Sequence, residues 1–272
     1  MSLRNLVTIN DDDHVRIITL NHPNKHNPFN EELENSIKAA LGEADADASV
    51  RALVVTGGQG RSFSAGGDFN EVKQLSGGSD VDRWIDRIMD LYTSVLCVSK
   101  PTIAAVDGFA IGMGFQFSLM FDWRTASSTS EFRMPELKHG IGCSVGGALL
   151  RYMVGFSSMQ RIIYECNSIS ALQAQHYGFV NNIVDQSDLL SAAIDTGRML
   201  AAYPEVSFKA TKKAVGSELL DILSKSAAAS KEVHRAAFAD HCAQHHFANI
   251  LGHRHEQGVA CGGSNILSPT QA

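Results

Sequence analysis

The chain has 272 residues, 44% of them hydrophobic and 19% charged, with a formal net charge of −6. That size and apolar share support one large buried core, or a core with an appendage, without disulfide or metal staples. The acidic balance argues against a nucleic-acid partner, which calls for a basic face, and no apolar run is long enough to span a bilayer.

The first half alternates short apolar runs with amphipathic segments. Residues 15–20 (VRIITL) read as a strand, followed by a polar turn rich in Pro and Asn (NHPNKHNPFN). Asn30 is placed to cap a helix over residues 31–41, with Glu31, Glu32 and Glu34 in its first turn. Residues 52–56 (ALVVT) are continuously apolar, the mark of a strand buried on both faces. A glycine-rich loop (GGQGRSFSAGGDF) comes next, then an amphipathic helix over residues 80–99.

Residues 101–106 (PTIAAV) form a second buried strand, ended by another glycine-rich turn, DGFAIGMG, and an apolar helix over residues 115–121. A strand is expected at 123–126, helices at 149–154 and 159–165, and a strand at 179–184. Beyond residue 187 the pattern is helical: 188–202, 205–215 and an Ala-rich stretch from 218 to about 251. The expected fold is therefore α/β with an α-helical C-terminal region, divided as a core over residues 1–200 and a helical region over residues 201–272. The opening residues turn acidic within a dozen positions, so no leader is expected. The five cysteines, Cys97, Cys143, Cys166, Cys242 and Cys261, are odd in number and none are paired as CxxC. This usage fits reduced thiols in a cytoplasmic protein.

Each glycine-rich turn follows a buried strand and precedes a helix. Turns of this kind leave backbone N–H groups unpaired and aimed at one point, which suits an anion or an oxygen that becomes anionic during reaction. Neither has the GxGxxG spacing of a dinucleotide site nor the GKS or GKT ending of a P-loop.

Four segments, taken together, make the reading specific: LNHPNKHNPFN, FSAGGDFNEV, KPTIAAVDGFAIGMGFQFSLMFDWRTAS and EFRMPELKHGIGCSVGGALLRYMVG. In this order they resemble the motifs of the crotonase (enoyl-CoA hydratase/isomerase) superfamily from about Leu20 to Asp185. The resemblance implies a spiral of ββα units closed by C-terminal helices and completing a homotrimer or a dimer of trimers. It also implies an acyl-CoA thioester as substrate; CoA is then part of the substrate, and no separate cofactor is expected.

By the same resemblance the N–H groups of Gly67 and Met113 hold the thioester oxygen, with Gly112 beside the latter. Lys25, Asn27, Pro28 and Phe29 lie along the CoA path, as do Ser64, Ala65 and Gly66. Asp68 is read mainly as a helix cap, and Lys212 or Lys213 as a contact for a CoA phosphate. Hydratases of the family use two glutamates. Here one position is Glu136 and the other is Gln116, while a third position that is Asp in some isomerases and hydrolases is Ser144. Hydration wants a base and an acid, whereas double-bond migration needs one base that removes and returns a proton. The single glutamate leans the reading toward isomerisation, with hydration and thioester hydrolysis as alternatives.

Gly142-Cys143-Ser144-Val145-Gly146 also fits the GxSxG nucleophile elbow, but no buried strand precedes the serine. His234, His241, His245, His246, His253 and His255 crowd the tail without a recognisable zinc spacing and read as solvated helix histidines. His139, three residues after Glu136, is a further candidate for tuning the pocket.

Overall fold

In the computed structural model, residues 6–75 and 77–239 are described. The chain opens with a hairpin, β1 (Val7–Asp12) and β2 (Val15–Leu20), and α1 (Glu31–Ala46) follows. Next come β3 (Ala52–Thr56), the short α2 (Phe69–Val72) and α3 (Ser79–Leu96). The middle holds β4 (Thr102–Val106), β5 (Phe109–Ile111), α4 (Met113–Ser118), β6 (Trp123–Ser127) and β7 (Glu131–Arg133). Then follow α5 (Ser144–Val154), α6 (Phe156–Glu165), β8 (Ile169–Ser170), α7 (Ala171–Tyr177) and β9 (Asn182–Val184). α8 (Leu189–Ala201) and α9 (Glu205–Ala239) close the described chain.

The strands form two sheets. The larger has the order β1-β2-β3-β4-β6-β9 and is parallel from β2 to β9; the smaller has the order β5-β7-β8. Consecutive strands alternate between them, β4 and β6 in one and β5 and β7 in the other, so each turn of chain adds a rung to both sheets. This is the expected ββα spiral. Two isolated parallel bridges, Ser64 to Ala110 and Phe29 to Gly67, continue the smaller sheet outward. They bring the first glycine-rich loop alongside the second.

The all-apolar strands are buried on both faces, and their period of two divides the core. Leu53 and Val55 of β3 and Ala104 and Val106 of β4 join the main cluster with Phe29, Phe63, Phe115 and Phe117. Ala52, Val54, Ile103 and Ala105 face the other way, onto Leu189, Ala193 and Ile194 of α8.

Two helices outrun their expected ends. α1 reaches Ala46, running through Gly42, which costs a helix interior only about 1 kcal/mol relative to alanine. α9 is likewise one continuous helix across Gly216, and it packs along α3 and α5. Asn30 caps α1 and Asp68 caps α2, each accepting a backbone N–H, so both capping expectations agree with the geometry.

Lys212 corrects an expectation. Its Nζ is 2.6 Å from Asp122 Oδ2 and donates to the Lys100 carbonyl at 2.8 Å, tying α9 to the ends of β4 and β6 rather than reaching toward a phosphate.

Gly114 shows how tightly the two loops meet: a Cβ there would lie 2.4 Å from the Ser64 carbonyl oxygen. Gly114→Ala should cost about 1–3 kcal/mol through forced backbone shifts, measured by urea unfolding.

Candidate active site

The site is assembled from three backbone features. The first is the loop after β3, where Gly66 has φ +95° and a Cβ would press to 2.8 Å from the Ile111 carbonyl and 3.6 Å from the Met113 nitrogen. Only glycine permits both the conformation and the approach. The second is the start of α4. Gly112 is its N-cap at φ +52°, with no side-chain cap, and Met113 is its first residue. The third is the turn at Pro135, where Glu136 opens a single 3-10 turn over residues 136–139.

These features meet. A Cβ on Gly112 would lie 3.3 Å from Glu136 Oε1, and one on Gly67 would lie 3.2 Å from Met113 Sδ. Among the described residues, neither the Gly67 N–H nor the Met113 N–H has a hydrogen-bond acceptor; the neighbouring Asp68 N–H bonds to Phe29 O and the Gly112 N–H to Arg133 O. Two free donors therefore sit at adjoining loops, one of them at the positive end of a helix.

Glu136 is held by a short relay. Gln116 Nε2 donates to Glu136 Oε1 at 2.9 Å, and Gln116 Oε1 accepts from the fully buried Tyr92 hydroxyl at 3.2 Å. The tyrosine thus fixes which end of the amide faces the carboxylate. Glu136 Oε2 is buried and bonds to nothing among the described residues. Burial pushes the Glu136 carboxyl up to about 7, against the opposing hydrogen bond from Gln116. A carboxyl poised there exchanges protons at neutral pH.

One cleft is lined by Ala65, Gly66, Gly67, Gly112, Met113, Gln116 and Glu136, so seven of the expected residues come together. Six others do not line it. Lys25 is exposed. Asn27 is fully buried, its Nδ2 donating to the carbonyls of Gly57 and Ser62. Phe29 packs edge-on against Phe117, and Ser64 Oγ donates to Asn27 O. Asp68 is the α2 cap, and Pro28 lies beside Asn27 in the same turn. The side chains of Asn27, Phe29 and Ser64 are thus occupied in holding the loops that carry the site.

The cleft also contains residues that sequence reasoning missed or misread. Trp84 of α3 and His234 of α9 line it in edge-to-face contact, with His234 Nδ1 2.7 Å from Ser230 O. His234 is 5% exposed, so the expectation of a solvated histidine fails for it. The amphipathic pattern of α3 was visible, but which residue of a 35-residue helix folds over it was not. His241, His245, His246, His253 and His255 lie outside the described residues. Among the described residues no cluster of three or more His, Cys, Asp or Glu is arranged to hold a metal. Ser144 is the first residue of α5, and a 3-10 turn and loop precede it, so the strand that a nucleophile elbow needs is absent there. No described helix is long and apolar enough to cross a membrane.

Comparison with known proteins places the chain in a family. The sequence profile of the family described as Enoyl-CoA hydratase/isomerase matches residues 10–257. The chain is 59% identical over 243 residues to Carboxymethylproline synthase of Pectobacterium carotovorum subsp. carotovorum, covering 89% of this chain and 97% of that protein. Among solved structures, ThnE from S. clavuligerus superposes with a TM-score of 0.72 at 32% identity, over 84% of this chain and all of that one. An enoyl-CoA hydratase/isomerase from Mycobacterium paratuberculosis shares the fold, with a TM-score of 0.81 at 23% identity over 92% of this chain and 100% of that one. The chain is an enzyme of the crotonase superfamily and belongs to the enoyl-CoA hydratase/isomerase family.

Proposed function

We propose that the chain joins the enolate of a CoA thioester to a five-membered cyclic imine carboxylate and then hydrolyses the thioester, releasing a carboxymethylproline. The observation that carries this reading is the 59% identity over nearly the whole of a relative named for that product. The site chemistry supports it.

A carboxymethyl group on a proline ring is a two-carbon unit, –CH2–COO⁻. Its methylene carbon is the nucleophilic carbon of an acetyl thioester enolate, and its carboxylate is what remains once the thioester is hydrolysed. Malonyl-CoA supplies that enolate without a base: the C–CO2 bond breaks, CO2 leaves, and its electron pair becomes the enolate. The N–H groups of Gly67 and Met113 hold the oxygen that takes the charge. The enolate carbon attacks the C=N carbon of the protonated imine, and the π pair passes to nitrogen, leaving a neutral ring amine. Water then adds to the thioester carbonyl as Glu136 accepts its proton; the C–S bond breaks, and Glu136 returns the proton to the departing sulfur, so that CoA leaves as the thiol.

This sequence needs only one carboxylate. It accounts for Gln116 in place of a second glutamate: the amide orients Glu136 and adds no negative charge beside a developing enolate. In this reading the lean toward isomerisation gives way to carbon–carbon bond formation on the same oxyanion geometry. Lys25, Pro28 and the backbone of residues 64–66 are proposed along the CoA path. Assembly as a homotrimer or dimer of trimers, and the division into residues 1–200 and 201–272, belong to the same proposal.

The test is incubation of the purified protein with malonyl-CoA and 1-pyrroline-5-carboxylate, read by mass spectrometry. The expected result is carboxymethylproline with free CoA and CO2. Inertness toward this pair, together with conversion of a 3-enoyl-CoA to its isomer at unchanged mass, would replace the proposal with double-bond migration.

A further inference from the structure

The imine carboxylate of the proposed reaction is a zwitterion when its nitrogen is protonated, so a productive site must meet a cation and an anion a few ångströms apart. The cleft offers an unpaired acceptor for the cation in Glu136 Oε2. The counterpart for the carboxylate is less obvious, because no Lys or Arg is found among the described residues lining the cleft.

The N-terminal end of α5 fills that role. The helix has 11 residues, and its N-cap, Cys143, makes no side-chain capping bond. Its first backbone bond runs from Gly147 N to Cys143 O at 2.9 Å, and the N–H groups of Ser144, Val145 and Gly146 have no acceptor among the described residues. All three residues line the cleft. A helix end enclosed without partners is uncommon, since each unpaired buried donor is costly.

A second, independent feature lies at the same place. Ser144 Oγ is buried and has no hydrogen-bond partner, as is true of Glu136 Oε2 in the same cleft. The helix end is also pressed against the catalytic pair. A Cβ on Gly146 would lie 2.7 Å from Cys143 Sγ and 3.1 Å from Gln116 Nε2.

We infer that the N-terminal end of α5, with the Ser144 hydroxyl and the free N–H groups of residues 144–146, docks the carboxylate of the imine acceptor while its protonated nitrogen faces Glu136. Helix N-termini favour carboxylates through their free donors and dipole. The order of charges, helix end, carboxylate, iminium, Glu136, alternates in sign. An acceptor bound the other way round would set its carboxylate against Glu136. The subsite thus fixes which end of the ring lies at Glu136. The inference rests on the carbon–carbon bond-forming reading and goes beyond it by assigning the acceptor's anchor.

Ser144→Ala and Ser144→Asp test it, with KM measured separately for 1-pyrroline-5-carboxylate and malonyl-CoA. Alanine removes one donor to a charged group and should raise the acceptor KM about tenfold. Aspartate sets its own carboxylate at the helix end and should raise it further, while the malonyl-CoA KM does not follow. With 1-pyrroline, which has no carboxylate, Ser144→Asp should no longer raise the acceptor KM. Melting temperatures of the variants check folding. Acceptor KM values unchanged in both variants, or a parallel rise in both KM values, overturn the subsite. Failure of the wild type to form product from any pyrroline carboxylate overturns the reaction itself, and the subsite falls with it.

Discussion

Glu136→Gln should lower release of free product by roughly 100- to 10,000-fold, the span expected when a positioned general base is removed. The amide keeps the shape of the side chain and can still bond Gln116, but it cannot accept a proton. The wild-type profile should show the same group directly. Burial raises its pKa to about 7, and only the ionised form accepts a proton from water, so turnover should climb as pH rises through about 7 and level off above it. The Gln variant should lose that inflection. If the variant turns over at the wild-type rate, Glu136 has no part in the chemistry.

Stability offers a control with the opposite sign. A carboxyl whose folded pKa is raised binds its proton more tightly in the folded state, so its contribution is fully present below the unfolded value. That contribution is lost as pH rises through about 7. Glu136→Gln should therefore be relatively more stable than wild type above pH 7, by urea unfolding. A variant that is inactive yet at least as stable separates chemistry from folding.

Much of this site was legible because it is written locally. The buried strands at 52–56 and 102–106 announce themselves by continuous apolar residues, and each is followed by glycines that nothing else in the pattern explains. Asn30 and Asp68 cap helices as their side-chain chemistry requires. What stayed hidden was set by distance along the chain or by shortness. The strands of the smaller sheet span two or three residues, too few for any period to show.

The helix expected at residues 115–121 begins at Met113, because the positive φ of Gly112 sets its start two residues earlier. Tyr92 meets Gln116 across 24 residues, and His234 reaches Trp84 from the far end of the chain. Such contacts follow from the fold as a whole. Lys212 carries the same lesson in reverse. A lysine suited to a phosphate by charge alone is, in three dimensions, the partner of Asp122.

The oxyanion geometry has its own decisive variant, because one of its donors can be deleted with little change in shape. Met113 is the first residue of α4, the helical position where proline is best tolerated, since its N–H has no intrahelical partner and its fixed φ suits the first turn. Gly112, which precedes it, has no Cβ to collide with the proline ring. Met113→Pro should therefore fold, as judged by circular dichroism and melting temperature, yet lack one of the two N–H groups proposed to hold the thioester oxygen. The expected loss is roughly 100- to 1000-fold in kcat, or about 2.7–4 kcal/mol of transition-state stabilisation. Met113→Leu, which keeps the N–H and changes only the side chain against Gly67, should lose far less. Equal losses in the two variants would assign the effect to packing. Full activity in the proline variant would mean that the charge develops elsewhere, and enolate chemistry at this loop pair would have to be abandoned for any thioester.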